Sequence, residues 1–135
     1  MPLLLDTGVL YALADADDAW HQRARAHLEE NRDLLLVPVT VLPEVSYLLH
    51  LRLGPRAEQA FVRSLVQGEL AIQPLTEADL KRSLALIERY PDIGFVDATV
   101  VAIAERLKLK AIATTDRRHF AKIRPKHVQA FRLLP

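Results

Sequence analysis

The chain has 135 residues, half of them hydrophobic and about a quarter charged, enough for one domain with a packed core. It holds no cysteine, which excludes a disulfide framework, a thiol nucleophile and a thiolate metal site. The formal net charge is only +1, yet residues 106–135 carry nine basic side chains and a single acid, Asp116; this asymmetry points to a polyanion partner or to a solvated basic face.

In chain order, short apolar runs alternate with longer amphipathic ones. Residues 2–5 read as a strand that stops at Asp6, followed by helical patterns over 7–14 and 17–30. A second strand is expected over 34–39. Helical stretches over 41–53 and 55–67 are separated by Gly54-Pro55, a break followed by a proline tolerated in a first turn. A strand over 70–73 leads to a helix over 77–89, with Leu80, Leu84 and Ile87 on one stripe, Thr76 as its N-cap and Asp79 three residues on. A helix over 96–107, a strand over 110–114, a short turn over 117–120 and a last strand over 130–133 complete the chain. Strands alternating with helices predict an α/β fold with a mainly parallel sheet covered on both faces. The unbroken run Leu34-Leu35-Leu36-Val37 suits a strand buried on both sides. No apolar run approaches the roughly 18 residues of a membrane span, and Leu3 to Leu5 is too short for a signal peptide; a cytoplasmic protein is expected.

Four acids stand in or at the ends of apolar segments, where a charge is costly unless compensated. Asp6 and Asp116 fall at carboxyl ends of predicted strands, where open α/β sheets place their functional crevice. Asp97 lies within Phe95-Val96-Asp97-Ala98-Thr99-Val100-Val101, and Glu44 within Thr40-Val41-Leu42-Pro43-Glu44-Val45. Each has a plain structural reading. Asp6 and Asp116 suit helix caps, and Asp97 suits the positive end of a helix dipole. Glu44 misses the capping-box position from Thr40 by one residue, because that position is Pro43. Four acids in one crevice would repel one another and raise one another's pKa without a cation. Hard oxygen ligands suit Mg²⁺ or Mn²⁺, and no histidine pair stands at ligand spacing.

Read together, Leu4-Leu5-Asp6-Thr7, Pro43-Glu44-Val45, Gly94-Phe95-Val96-Asp97-Ala98 and Thr114-Thr115-Asp116 resemble the PIN-domain family, in order and spacing, across essentially the whole of 1–135. Within that family the chain looks most like VapC-type toxins of toxin–antitoxin pairs, on its length and on Asp116-Arg117-Arg118-His119-Phe120. Many relatives have an acid before that phenylalanine; here it is His119, so no fifth acidic ligand is carried over.

The resemblance implies a single PIN-like three-layer α/β/α sandwich with a sheet of about four or five strands. It also implies an endoribonuclease using one or two Mg²⁺ or Mn²⁺ ions. Asp6, Glu44 and Asp97 would be principal ligands, and Asp116 a ligand or water-positioning group; which acid is the general base stays open. Thr7 and Thr115 are candidate supporting groups. Arg117 and Arg118 are candidates to grip RNA phosphates, with Lys122, Arg124 and Lys126 extending the track. A homodimer and a cognate antitoxin are implied, the antitoxin tail lying in an apolar groove between residues 41 and 66. No specific DNA binding by this chain is expected.

Other readings are weaker. Haloacid-dehalogenase phosphatases need an acid two residues after the first, where this chain has Gly8, and a phospho-receiver wants an acid where Leu5 stands. Metal-free cleavage by His119 and His127 as acid and base is a rival. A housekeeping RNA-processing nuclease and a silent PIN binding module are the alternatives within the family. Trp20 is expected to anchor packing, and Tyr47 and His50 to be core or interface residues.

Overall fold

The computed structural model describes residues 2–30 and 34–135. Five strands form one sheet: β1 (Leu3–Leu5), β2 (Leu35–Pro38), β3 (Ala71–Gln73), β4 (Ala111–Ala113) and β5 (Arg132–Leu134). Their order is β3-β2-β1-β4-β5, and every pairing is parallel. Leu4 of the central strand pairs with Leu36 on one side and with Ile112 on the other. All three residues of β1 are buried, because helices cover both faces of the sheet.

The helices are α1 (Thr7–Ala14), α2 (His21–Glu30), α3 (Leu42–Leu53), α4 (Pro55–Val66), α5 (Glu77–Arg89), α6 (Phe95–Arg106) and α7 (Arg117–Lys122). The expected elements are present, with shifted ends. α2 starts at His21 rather than 17, since Asp15 and Asp18 side chains accept from the amides of Asp17 and Trp20 and hold that stretch in turns. The 41–53 stretch begins as a 3₁₀ turn, Val39–Val41, before α3. The 117–120 turn extends into α7.

α6 is the buried helix of the fold, with every residue from Ala98 to Ala104 inside. Its Ala98, Ala102 and Ala104 allow close approach of neighbours, and α5 packs along it. The hydroxyl of Thr99 donates to the Val96 carbonyl at 2.6 Å and, its proton so used, accepts from Thr40 Oγ1 at 2.6 Å. That contact ties α6 to the 3₁₀ turn before α3. Thr76 caps α5 as expected: its hydroxyl accepts from the Asp79 amide, and its own amide donates to Asp79, both at 3.0 Å. Gly54 joins α3 to α4 with φ 95°, a conformation a side chain would strain. Among the described residues, no helix is long and apolar enough to cross a membrane.

Candidate active site

The chain leaves β1 on one side to build β2 and β3, then returns to its other side for β4 and β5. The strand order therefore reverses between β1 and β4, and an open parallel sheet leaves a crevice at the carboxyl ends of such a pair. Asp6 follows β1, and Thr114-Thr115-Asp116 follows β4. Asp97 comes from the first turn of α6 and Glu44 from the first turn of α3.

Asp6 is only 4 % exposed. It occupies the N-cap position of α1 but, among the described residues, makes no capping bond. Instead its Oδ2 accepts from Thr114 Oγ1 at 2.9 Å. The same threonine oxygen accepts from the Asp116 amide, also at 2.9 Å. Thr114, fully buried, thus holds two of the acids in register from one hydroxyl. Sequence reasoning passed over it in favour of Thr7 and Thr115. The signal was its place two residues before Asp116, the spacing at which a threonine hydroxyl accepts from a backbone amide.

Burial pushes the Asp6 carboxyl up to about 7, with further upward pressure from Asp97 and less from Glu44; the Thr7 amide and Thr114 hydroxyl oppose this in part. Asp97 is pushed up to about 6 by burial first, then by Asp116 and Glu44, against a lowering by His119. The crevice holds more negative charge than its own residues neutralise.

Asp97, Asp116 and His119 each place one donor atom within 4.8 Å of the other two. Asp6 and Glu44 lie outside this close group: buried Asp6 interacts with Asp97 through its field, and exposed Glu44 with both of them. Asp116 does two things at once. As the capping reading anticipated, it caps α7 by accepting from the His119 amide at 3.2 Å, and its other oxygen lies 2.7 Å from His119 Nδ1. The donors fit a divalent cation: carboxylates raised by burial and by one another, beside Thr7, whose buried hydroxyl has no partner among the described residues.

Other expected site residues are placed differently. Thr115 packs on α1, where a Cβ added at Gly8 would overlap its hydroxyl. Arg117 is exposed, with its guanidinium carbon 5.3 Å from the Trp20 ring centroid, and donates to the Pro135 carbonyl. Arg118 is exposed. Lys122 pairs with Asp92 at 3.7 Å. His127 Nε2 lies 2.6 Å from the Leu109 carbonyl and its ring meets Phe131 edge-on, a structural role that separates it from the His119 chemistry. Trp20 packs against the core with Arg23 and Arg117 over its ring. Tyr47, 65 % exposed, is not core, nor is exposed His50, whose Nδ1 lies 3.0 Å from Glu58. Both stand on the outer side of α3, opposite buried Val45 and Leu49.

Comparison with known proteins supports this architecture. The chain is 32% identical over 135 residues to Ribonuclease VapC26 of Mycobacterium tuberculosis (strain ATCC 25618 / H37Rv), covering 98% of this chain and 100% of that protein. The crystal structure of Mycobacterium tuberculosis VapC20, a Sarcin-Ricin loop cleaving toxin, superposes with a TM-score of 0.80 at 23% identity, covering 86% of this chain and 91% of that one. A toxin–antitoxin complex from Klebsiella pneumoniae gives 0.72 at 23% identity, over 90% of this chain and 92% of that one. At these identities the two structures attest the fold, a parallel sheet flanked by helices. The model of the PIN domain matches residues 3–125, the span that holds all four acids, and with a relative alike from end to end it makes this chain a member of the PIN-domain family.

Proposed function

We propose that this chain is a divalent-metal-dependent endoribonuclease, the toxin of a toxin–antitoxin pair, acting on RNA in the cytoplasm. The observation that carries the reading is the convergence of Asp6, Asp97 and Asp116 at the carboxyl end of the sheet, with two of them raised well above ordinary carboxylates. The relative named Ribonuclease VapC26, similar over its whole length, supports RNA as the substrate class and the toxin assignment.

Asp6, Asp97 and Asp116 would hold the Mg²⁺ or Mn²⁺, with Glu44 closing the exposed side. When bound, such an ion neutralises phosphate charge and acidifies a water at neutral pH. The protein's own groups supply placement. Thr114 fixes the Asp6 carboxylate and the Asp116 backbone, so neither acid reorganises when substrate arrives. Arg117 and Arg118 are both exposed and would meet phosphates flanking the scissile bond, Arg117 from a position over Trp20.

An apolar groove of about 380 Å³, lined among others by Leu10, Leu13, Leu49, Ala57, Phe61 and Leu70, supports an antitoxin segment as partner. It draws on α3 and α4 and also on α1. A homodimer is part of the same reading.

The test is cleavage of total cellular RNA by purified protein in Mg²⁺, Mn²⁺ or EDTA, beside Asp6→Asn. Discrete cuts that need metal and vanish in the variant are expected. Cleavage that persists in EDTA and in the variant would overturn the acid site. A genomic neighbour's small DNA-binding product that fails to bind the protein would count against the toxin assignment.

A further inference from the structure

Asp97 and Asp116 share their crevice with an imidazole. His119 stands in α7 between exposed Arg118 and buried Phe120, and its partly exposed ring reaches the acids. Nδ1 lies 2.7 Å from Asp116 Oδ2 and 3.9 Å from Asp97 Oδ2. Ligands around one octahedral ion with bonds near 2.1 Å stand about 3–4 Å apart. The 2.7 Å contact is a hydrogen bond that an ion between the two atoms would replace, and the two carboxylates and the imidazole, with one donor atom each inside 4.8 Å, stand close enough to share one ion.

We propose that His119 is a direct ligand of the metal in this centre, an imidazole added to the carboxylates named above, which makes the site prefer a divalent transition ion to Mg²⁺. This rests on the metal-site reading above and narrows it. Mg²⁺ sheds water reluctantly and takes hard oxygen ligands, so an imidazole adds little to its binding. First-row transition ions accept imidazole nitrogen with affinity that rises from Mn²⁺ onward. Without an ion Nδ1–H donates to Asp116; with one bound, the tautomer with its proton on Nε2 would present the Nδ1 lone pair to it instead. Sequence spacing hides this site, because its imidazole pairs with Asp97, twenty-two positions upstream, and not with another histidine.

The substitution that tests the inference is mild. The His119 backbone amide, not its side chain, caps α7 on Asp116, and the side chain is 36% exposed, so His119→Ala and His119→Asp keep the helix. Mn²⁺, the weakest nitrogen binder of the series, is the conservative probe. Pulsed EPR of Mn²⁺ bound to the wild-type protein should show modulation from a directly coordinated nitrogen, lost in both variants. Titration of each protein with Mn²⁺ and with Mg²⁺ should show the Mn²⁺ affinity falling about 10–100-fold in His119→Ala. His119→Asp should bind both ions and lose the preference for Mn²⁺. Mn²⁺ that binds without nitrogen modulation, or a preference unchanged in both variants, overturns the role of His119 and leaves the carboxylate centre standing. Failure of the wild-type protein to bind either ion overturns both.

Discussion

The two ends of α6 treat buried acids in opposite ways. At its carboxyl end, Asp79 is 3 % exposed and accepts from Arg106 Nε with both oxygens, each at 3.1 Å. Glu105 beside it receives Arg82 at 2.7 and 3.0 Å and the Lys126 amide at 2.7 Å. At the amino end, Asp6 is equally buried, and a threonine hydroxyl is its side-chain donor, while Asp97 faces further acids. Burying a carboxylate carries the same desolvation cost at either end. One end meets it with guanidinium groups from the chain itself, and the other leaves room for positive charge from outside. A structural acid and a functional acid differ here in who supplies the counter-charge.

The contrast predicts opposite consequences for removing charge. Asp97→Asn should reduce RNA cleavage on the order of a hundredfold or more while leaving the metal-free fold intact or firmer, checked by cleavage rate and thermal melting. Arg106→Ala should do the reverse. It strands Asp79 without its partner and should cost about 3 kcal/mol in a urea titration, with cleavage per folded molecule unchanged.

The pH dependence separates the ends too. The Asp6 carboxyl is raised to about 7 and Asp97 to about 6, so the folded protein holds protons that the unfolded chain releases near pH 4. Their contribution to stability is fully present below about pH 4 and is lost as pH rises through 6 and 7. In EDTA, melting temperature should therefore carry a falling component across that window, and Asp6→Asn should flatten it. A curve of the same slope in the variant would contradict the assignment.

Smaller effects sharpen the picture of how the acids are held. Thr114→Val removes the donor to Asp6 and the acceptor for the Asp116 amide, and should cost about 1–3 kcal/mol by denaturant titration, with weaker metal binding. Gly8→Ala forces a methyl against Thr115 and should cost about 1–3 kcal/mol, partly recovered in the double variant with Thr115→Ala.

Much of this was legible before any coordinates. Alternating apolar and amphipathic runs gave the parallel α/β sheet, and the Thr76 and Asp79 spacing gave the cap of α5. Asp6, Asp97 and Asp116 announced themselves as charges at the ends of apolar segments. Side-chain direction was not legible. Thr114 and Asp6 are 108 positions apart and meet only because β1 and β4 are neighbours. Arg117 and Arg118 are adjacent in sequence and both exposed, yet Arg117 is the one that lies over Trp20, because successive helical positions point about 100° apart. His119 and His127 are both histidines in a basic segment, alike in sequence. The fold gives one to the acids and the other to the Leu109 carbonyl.

The most direct test of the outside counter-charge is thermal unfolding of wild-type protein and Asp97→Asn, each in EDTA and in saturating Mn²⁺. With Mn²⁺ at a hundred times its dissociation constant, the wild type should gain about 2.7 kcal/mol, a rise of several degrees. Asp97→Asn should melt at or above the wild type in EDTA and gain little from Mn²⁺. A variant that melts lower in EDTA and still gains the full increment would show that the acids stabilise the fold by themselves and that the metal binds elsewhere.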